Sequence, residues 1–319
     1  MIFEKQIVNA YKGMIHTRCD DTESVFYFSP NDFPSLLWEP VRFNSSMGHS
    51  LLGYVYQYEG ARADRMIVFD HGFGGGHRAY MKDIVMLCEN GYKVFAYDHT
   101  GCMESGGDAP NGLAQSLADL NDCINMLKSD TRFSSLDISV MGHSWGAFST
   151  MNITALHPDI SHIVAISGFV SPEAMIGTLF GGILKGYRKP ITALEEAANP
   201  RFYHYSAIDS LKASSVKALL IYSDDDMLCK PVHYKLLQSE LSEQENVNFL
   251  IVSGKGHNPN YTAPAAKYVA EFGKARAKLL RNKKVTPEDK AKFVASFDWH
   301  RMTEQDEAVW NAIFAHLDN

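Results

Sequence analysis

The sequence has few cysteines and no excess of positive charge. Five of its 319 residues are cysteine, an odd number, and no two have the C-x-x-C spacing of a redox or zinc motif. The formal charge of −7 disfavours a nucleic-acid partner, because proteins that bind nucleic acids present a basic surface to the phosphates. We therefore expect mostly buried thiols in a reducing compartment and no nucleic-acid partner.

Long hydrophobic runs are also missing. No apolar stretch approaches the ~18 residues that a membrane span requires, and residues 1–6 lack the basic and apolar regions of a signal peptide. There is no internal repeat and no low-complexity tract. With 45 % hydrophobic and 21 % charged residues, the chain has the composition of a globular protein. These features predict a cytoplasmic protein without a membrane span.

What is present is an alternation of short apolar runs and helix-length segments from residue 38 onwards. A β-hairpin comes first, with alternating apolar side chains on both sides of a turn at residues 44–48. Six further strand-like runs follow, and they begin near residues 65, 92, 136, 163, 216 and 247. Strands separated by helix-length segments pair in parallel, so the pattern predicts an α/β fold with a doubly wound, mostly parallel sheet. In such sheets the reactive residues lie at the carboxyl ends of the strands.

A G-x-S-x-G motif follows the third of these runs, at Gly142-His143-Ser144-Trp145-Gly146. A nucleophile on a sharp turn between a strand and a helix has a strained backbone, and its neighbours must be small, a need that the two glycines meet. The helix that begins after Ser144 also directs its N-terminal N–H groups towards negative charge on a substrate. We therefore predict that Ser144 is a catalytic nucleophile.

A glycine-rich loop at residues 71–77 follows the first run. Backbone without side chains can approach a substrate closely and offer N–H donors to it. The alternative is a dinucleotide-binding loop, but the third glycine position of that motif is His77 here. We therefore expect an oxyanion loop, braced by hydrogen bonds from His71. No histidine near the strand ends has H-E-x-x-H spacing, so no metal site is expected.

Two later runs end in the residue types that a serine nucleophile requires. The run near residue 216 is followed by Asp224, Asp225 and Asp226, and the run near residue 247 by His257. Taken alone, each is typical of a solvated turn or an incidental histidine. The chain order of serine, aspartate and histidine, however, is that of one fold among the common triad enzymes. We predict a triad of Ser144, His257 as the base, and one of the three aspartates.

Residues 38–281 resemble the α/β-hydrolase superfamily, in particular serine hydrolases of the esterase, monoglyceride-lipase and proline-iminopeptidase kind. Residues 97–105 are similar to the D-x-R-G-x-G-x-S loop of these proteins, with departures at Thr100 and Met103. Residues 205–209 are similar to their segment before the acid. The resemblance implies a serine hydrolase that uses no cofactor and no metal.

The resemblance also implies which aspartate is the orienting acid. It is the last residue of the pattern h-G-x-x-D, which is Asp226. Because Ser223 replaces the usual glycine of that pattern, Asp224 and Asp225 stay open as rivals. Haloalkane dehalogenases and epoxide hydrolases of the fold carry an aspartate where this chain has Ser144, so the resemblance excludes them.

The oxyanion donors implied by the resemblance are the backbone N–H groups of Phe73, with Gly74 as rival, and of Trp145. Between the predicted strands near residues 163 and 216 lies a segment too long for a plain crossover. Apolar residues recur there at helical spacing over 175–187, and we predict one helix in a cap (residues 169–212) that favours an apolar acyl or alcohol group. The alternative is a core helix whose glycines allow close contacts. Candidate substrate-binding residues are Gly74, His143, Met175, Leu179 and Phe180.

The predicted organisation is a lead-in at 1–37, an α/β-hydrolase domain at 38–282 and a C-terminal helical appendage at 283–319. Thr286 and Thr303 are each expected to cap a helix of the appendage. We expect the appendage to pack on the domain, and the alternative is that it joins two subunits in a homodimer.

The predicted function is hydrolysis of a small carboxylic ester through an acyl-enzyme on Ser144. One alternative is a serine aminopeptidase or other amide hydrolase of the same fold. Another, from a different class, is a non-catalytic ligand-binding protein that keeps the fold. The expected partner is therefore a small-molecule ester or a short peptide.

Overall fold

The structure is a computed structural model that describes residues 3–19, 28–282 and 284–319. Residues 1–2 and 20–27 of the predicted lead-in lie outside the described residues, and so does Lys283, the first residue of the predicted appendage.

Eight strands of the described residues form one sheet. They are β1 (Leu37–Asn44), β2 (Ser50–Gln57), β3 (Arg65–Asp70), β4 (Lys93–Tyr97), β5 (Asp137–His143), β6 (His162–Ile166), β7 (Lys217–Ser223) and β8 (Val247–Val252). Their order across the sheet is β1-β2-β4-β3-β5-β6-β7-β8. The first two form the predicted antiparallel hairpin, and β3 to β8 run parallel. The predicted doubly wound, mostly parallel α/β sheet is confirmed.

Helices pack on both faces of this sheet. In the described ranges the α-helices are α1 (Glu4–Ile15), α2 (Met81–Glu89), α3 (Gln115–Ser129), α4 (Trp145–Asn152), α5 (Pro172–Leu179), α6 (Arg188–Ala198), α7 (Ala207–Lys212), α8 (Val232–Glu240), α9 (Ala263–Leu280), α10 (Pro287–Ala295), α11 (Trp299–Met302) and α12 (Glu307–Leu317). Successive side chains of a strand point to opposite faces. Met66 and Val68 of β3 are therefore buried with α3 and α4, whereas Ile67 and Phe69 are buried with α2 and α12.

The strand order reverses at β3, which lies between β4 and β5. In a doubly wound sheet the crevice outside the carboxyl ends of such strands is where ligands bind. The loop after β3 and the turn after β5 both open into this crevice, and they carry the predicted oxyanion loop and Ser144.

The segment between β6 and β7, which was predicted to form a cap, is not built on one long helix. Helix α5 ends at Leu179, a 3-10 helix covers Gly182–Tyr187, and α6 then begins. Phe180 and Gly181 leave the helical region, with ψ of 61° and 173°, and they end α5 before Gly182, which has φ +55°. An added Cβ at Gly177 or Gly182 would meet no atom within 4 Å, so these glycines do not serve close backbone packing.

The C-terminal appendage packs on the domain of its own chain. Thr286 caps α10 through a capping box, as predicted. The prediction for Thr303 is wrong: it follows α11, and α12 is capped by Asp306, whose carboxylate accepts the backbone N–H of Val309. Helix α12 packs on β6, and its Trp310 is buried in the core.

Helix α1, which lies in the lead-in left unassigned by the sequence, packs on α6 and on the 3-10 helix of the cap. Ile7, Tyr11 and Ile15 are four residues apart and form its inward face. The Tyr11 hydroxyl donates to Glu195 Oε1 of α6 at 2.9 Å, and the Leu113 N–H donates to Glu195 Oε2 at 2.5 Å. A buried carboxylate therefore joins α1, the cap and the loop before α3.

The five cysteines all belong to the described residues, are buried and form no disulfide, so the prediction of buried thiols is confirmed. Across the same residues, no helix combines the length and the apolar character that crossing a membrane demands.

Candidate active site

Ser144 lies at the junction of β5 and α4, with φ +57° and ψ −109°. This left-handed backbone is strained for a residue with a side chain, and it is typical of a nucleophile at the tip of a strand. The flanking glycines make the turn possible. A Cβ at Gly142 would overlap the carbonyl oxygen of Gly146, and a Cβ at Gly146 would overlap that of Asp70. The sharp turn predicted from the motif is therefore present.

His257 follows β8 and contacts Asp226, which follows β7. Its Nδ1 lies 2.7 Å from Asp226 Oδ2. Asp226 is buried, and its other oxygen accepts the backbone N–H groups of Leu228 at 2.8 Å and Cys229 at 3.1 Å. Since a carboxylate only accepts hydrogen bonds, the proton of His257 lies on Nδ1, and Nε2 is left as a base.

The two rival aspartates bind other groups. Asp224 accepts a hydrogen bond from the Ser253 hydroxyl at 2.7 Å, and Asp225 accepts one from the Gly256 N–H at 2.8 Å. Both therefore brace the loop at residues 253–257 from outside, while the third aspartate contacts the imidazole.

Ser144 and His257 line the same cavity, whose volume is about 280 Å³. In the described part of the chain no hydrogen bond joins their side chains, and the Ser144 hydroxyl instead contacts the Cys229 thiol. In enzymes without bound substrate, hydrogen bonds between catalytic groups are often long or poorly aligned. Burial, followed by the charge of Asp226, raises the pKa of Cys229 well above its ordinary value, so this thiol stays protonated and unreactive.

The wall of the cavity is mainly apolar. Its apolar side chains are Met14, Ile15, Phe73, Leu113, Phe169, Met175, Leu179 and Leu228. Two predicted substrate contacts, Met175 and Leu179, are therefore on the wall. Phe180 and Gly74 are not among the described lining residues. The ring of Phe180 is buried against that of Tyr11, with centroids 5.9 Å apart, and Gly74 faces open space.

His143 also lines the cavity, but both of its ring nitrogens contact protein atoms. Nδ1 lies 3.0 Å from the Tyr80 hydroxyl, and Nε2 lies 2.7 Å from the carbonyl oxygen of His257. Only the carbon edge of the ring is left for the substrate contact that was predicted.

The candidate oxyanion donors are unoccupied by protein. In the described residues, the backbone N–H groups of Phe73 and Trp145 donate to no acceptor, and the same holds for the rival Gly74. The rings of Phe73 and Trp145 pack edge to face with centroids 4.9 Å apart. The Trp145 indole N–H donates to the carbonyl oxygen of Leu113 at 2.6 Å. These side-chain contacts fix the separation of the two backbone segments.

His71 braces the loop at residues 71–77, as predicted. Its Nδ1 lies 2.8 Å from the carbonyl oxygen of Gly72, and its Nε2 accepts the backbone N–H of His99 at 3.0 Å. Burial, followed by the charge on His99, lowers the pKa of His71 to about 3. The neutral ring can therefore donate through one nitrogen and accept through the other.

A buried ion cluster lies beneath this loop. The ring nitrogens of His99 are 2.8 Å from Asp70 Oδ1 and 3.3 Å from Asp119 Oδ2. Burial acts to lower the pKa of His99, but the charge of Asp70 and the contacts to Asp119 outweigh it and raise the pKa to about 9. A buried charge is tolerated when it is paired, so the imidazolium ties the end of β3 to α3.

We expect the free energy of unfolding to fall as the pH rises from about 6.5 to about 9. In this window the folded protein keeps the proton of His99, whereas the unfolded chain has released it. The contribution is complete below pH 6.5, is on the order of 3 kcal/mol, and is lost above pH 9. Urea titrations at several pH values measure it. The exposed His204 supplies the control, because His204→Gln should show the same loss; a stability that is flat over this window would contradict the charged state of His99.

Seven residues that line the cavity were not predicted as site residues from the sequence, namely Met14, Ile15, Tyr80, Leu113, Phe169, Leu228 and Cys229. The four-residue spacing of Ile7, Tyr11 and Ile15 is a signal that could have located α1. No local pattern marks Tyr80 or Cys229, because they join the site only through tertiary contacts.

A family model described as serine aminopeptidase, S33, matches residues 61–202. This range includes Ser144 and the loop at residues 71–77, and it ends before Asp226 and His257. No protein with a curated description matches the sequence.

The fold is similar to that of several solved structures. One is an esterase from Pyrococcus furiosus, at a TM-score of 0.60 and 19 % identity, over 83 % of this chain and 98 % of that one. Another is Est1E from Butyrivibrio proteoclasticus with ferulic acid bound, at a TM-score of 0.55 and 18 % identity, over 75 % and 99 %. A third is the α/β hydrolase GrgF from Penicillium sp. sh18, at a TM-score of 0.53 and 17 % identity, over 81 % and 99 %. At these identities the likeness shows the fold.

Proposed function

We propose that this chain is a serine hydrolase of the α/β-hydrolase superfamily and that it cleaves a small carboxylic ester. One observation carries the proposal. A serine on strained, left-handed backbone shares a cavity with an imidazole that is hydrogen-bonded to a buried carboxylate. The esterase from Pyrococcus furiosus among the structural neighbours supports the same reaction class.

In the proposed reaction, Ser144 Oγ attacks the acyl carbon while His257 Nε2 takes its proton. Asp226 holds the tautomer of the base and stabilises the imidazolium. The N–H groups of Phe73 and Trp145 stabilise the oxyanion, and each such donor contributes about 3–4 kcal/mol. The base then returns the proton to the leaving alcohol, and water repeats the attack on the acyl-enzyme.

The cavity supports a substrate with a neutral, apolar acyl or alcohol group. Among the described residues that line it, none carries a carboxylate, an ammonium or a guanidinium group. Its volume of about 280 Å³ lies at the lower end of the range for small-molecule sites. A small ester fits both properties.

The family model favours a second candidate, a serine aminopeptidase. Such an enzyme needs an anion to hold the ammonium group of a peptide. Behind the cavity wall lies the carboxylate of Glu195, but it already contacts Tyr11 Oη at 2.9 Å, His16 Nε2 at 2.8 Å and the Leu113 N–H at 2.5 Å. This occupation supports the ester over the peptide.

A fluorophosphonate label and a substrate panel test the proposal together. We expect the label on the peptide that contains Ser144 and no label on Ser144→Ala, whose fold is checked by its melting temperature. We also expect cleavage of p-nitrophenyl esters with short acyl chains, and little cleavage of aminoacyl p-nitroanilides. A higher kcat/KM for the anilides would assign the aminopeptidase instead. A folded protein that takes no label and cleaves neither substrate would support the non-catalytic alternative.

A further inference from the structure

We propose that Tyr80 and His143 are positioning residues that tie the oxyanion loop to the loop of the catalytic histidine. The inference rests on the proposed function, because it gives these side chains a role in that same reaction. Neither side chain makes a bond or transfers a proton in the reaction. Together they set the position of the oxyanion loop relative to His257.

Three contacts, which together form what we call the bridge, connect the two loops. The backbone N–H of Gly72 donates to the Tyr80 hydroxyl at 3.1 Å. That hydroxyl lies 3.0 Å from His143 Nδ1. His143 Nε2 in turn lies 2.7 Å from the carbonyl oxygen of His257. The bridge therefore begins one residue before Phe73 and ends on the backbone of the base.

The direction of each hydrogen bond follows from the groups involved. A carbonyl oxygen only accepts, so His143 carries its proton on Nε2 and donates it to His257. A neutral imidazole has a single N–H, so Nδ1 is an acceptor and the Tyr80 O–H donates to it. The tyrosine oxygen then accepts the Gly72 N–H. Every donor meets an acceptor when His143 is neutral, and the bridge has one consistent direction.

The surroundings of His143 keep it neutral. Burial, followed by the nearby charge of His257, lowers the pKa of His143 to about 3. The two rings are in edge contact, with centroids 4.8 Å apart. When His257 takes the proton of the nucleophile, its neighbour does not compete for that proton, and the bridge stays intact during the reaction.

The sheet alone does not fix the distance between the two loops that the bridge connects. The oxyanion loop follows β3 at the centre of the sheet, whereas His257 follows β8 at its edge, with β5, β6 and β7 between them. His143 ends β5 and is placed to reach both sides. A Cβ at Gly72 would overlap the Tyr80 hydroxyl, so the glycine is required for this contact. A misplacement of about 1 Å between reacting groups costs on the order of a hundredfold in rate.

Tyr80→Phe removes the hydroxyl but keeps the ring, which packs on Phe69 with centroids 5.4 Å apart. We expect kcat for the best ester and the rate of fluorophosphonate labelling to fall roughly 30-fold, with KM within about twofold. Tyr92→Phe is the matched control. It loses a hydroxyl that donates to Asp318 at 2.6 Å. Because this contact lies at the opposite end of the sheet, kcat should equal that of the wild type.

Two substitutions at position 143 separate positioning from packing. His143→Gln keeps an amide donor for the carbonyl oxygen of His257, whereas His143→Phe keeps the ring volume without a donor. We expect kcat of the Gln variant to exceed that of the Phe variant roughly tenfold. In the double variant Tyr80→Phe/His143→Phe the loss should not exceed that of His143→Phe alone, because both changes break the same bridge.

If Tyr80→Phe had the kcat of the wild type, or if the two His143 variants had equal kcat, the proposed positioning role of the bridge would be overturned. If Tyr80→Phe does not fold, as its melting temperature would reveal, the comparison at position 143 decides. A failure of the proposed function looks different, since the wild-type protein itself would then take no label and cleave no ester.

Discussion

We expect Asp226→Asn to lower kcat for the best ester by roughly 10⁴-fold without unfolding the protein. The new side chain keeps an oxygen for the backbone N–H groups of Leu228 and Cys229, so the loop after β7 stays folded. Its amide nitrogen replaces the oxygen that accepts from His257 Nδ1. A donor at this place moves the proton of His257 onto Nε2, which then cannot take the proton of Ser144.

Asp224→Asn and Asp225→Asn are the matched controls, because both residues adjoin the acid in sequence but bind the loop at residues 253–257. We expect each to lower kcat less than roughly tenfold, since it loosens a loop and does not change a tautomer. Steady-state kinetics on the three variants, with circular dichroism to compare their folds, measures the difference. If Asp225→Asn were as slow as Asp226→Asn, the pairing of Asp226 with His257 would not be the one that operates in solution.

Much of the candidate site follows from the sequence because it depends on where strands end. Ser144, Asp226 and His257 each follow a short apolar run, and parallel strands bring their carboxyl ends to one edge of the sheet. The choice among three adjacent aspartates needs more than this pattern. The resemblance to α/β-hydrolases indicated Asp226, and the 2.7 Å contact with His257 is made by that residue.

The structural features that were not predicted from the sequence depend on contacts between distant segments. Tyr11 and Glu195 are 184 positions apart, and their hydrogen bond places α1 against the cap. Local patterns also did not choose between two competent caps, Thr303 and Asp306, because both residue types accept a backbone N–H at a helix start. The long helix predicted in the cap ends early because Phe180 and Gly181 adopt non-helical conformations that helical spacing does not reveal.

We expect Gly146→Ala to abolish fluorophosphonate labelling and to lower the free energy of unfolding by at least about 3 kcal/mol. The added Cβ would overlap the carbonyl oxygen of Asp70 and lie 2.9 Å from that of His71. Both are backbone atoms at the end of β3, so no side-chain rotation relieves the contact. Helix α4 must therefore move away from β3, which separates the N–H of Trp145 from the N–H of Phe73 on the opposite loop.

Gly177→Ala is the matched control for this change. Gly177 lies inside α5, and a Cβ there meets no atom within 4 Å, so the variant replaces a poor helix former with a good one at no steric cost. We expect its stability to rise by up to about 1 kcal/mol, with labelling intact. Urea titrations measure the free energy of unfolding of both variants, and fluorophosphonate labelling rates measure the reactivity of Ser144 in each. A fully labelled Gly146→Ala protein of wild-type stability would mean that the turn at Ser144 does not depend on the close approach of α4 to β3.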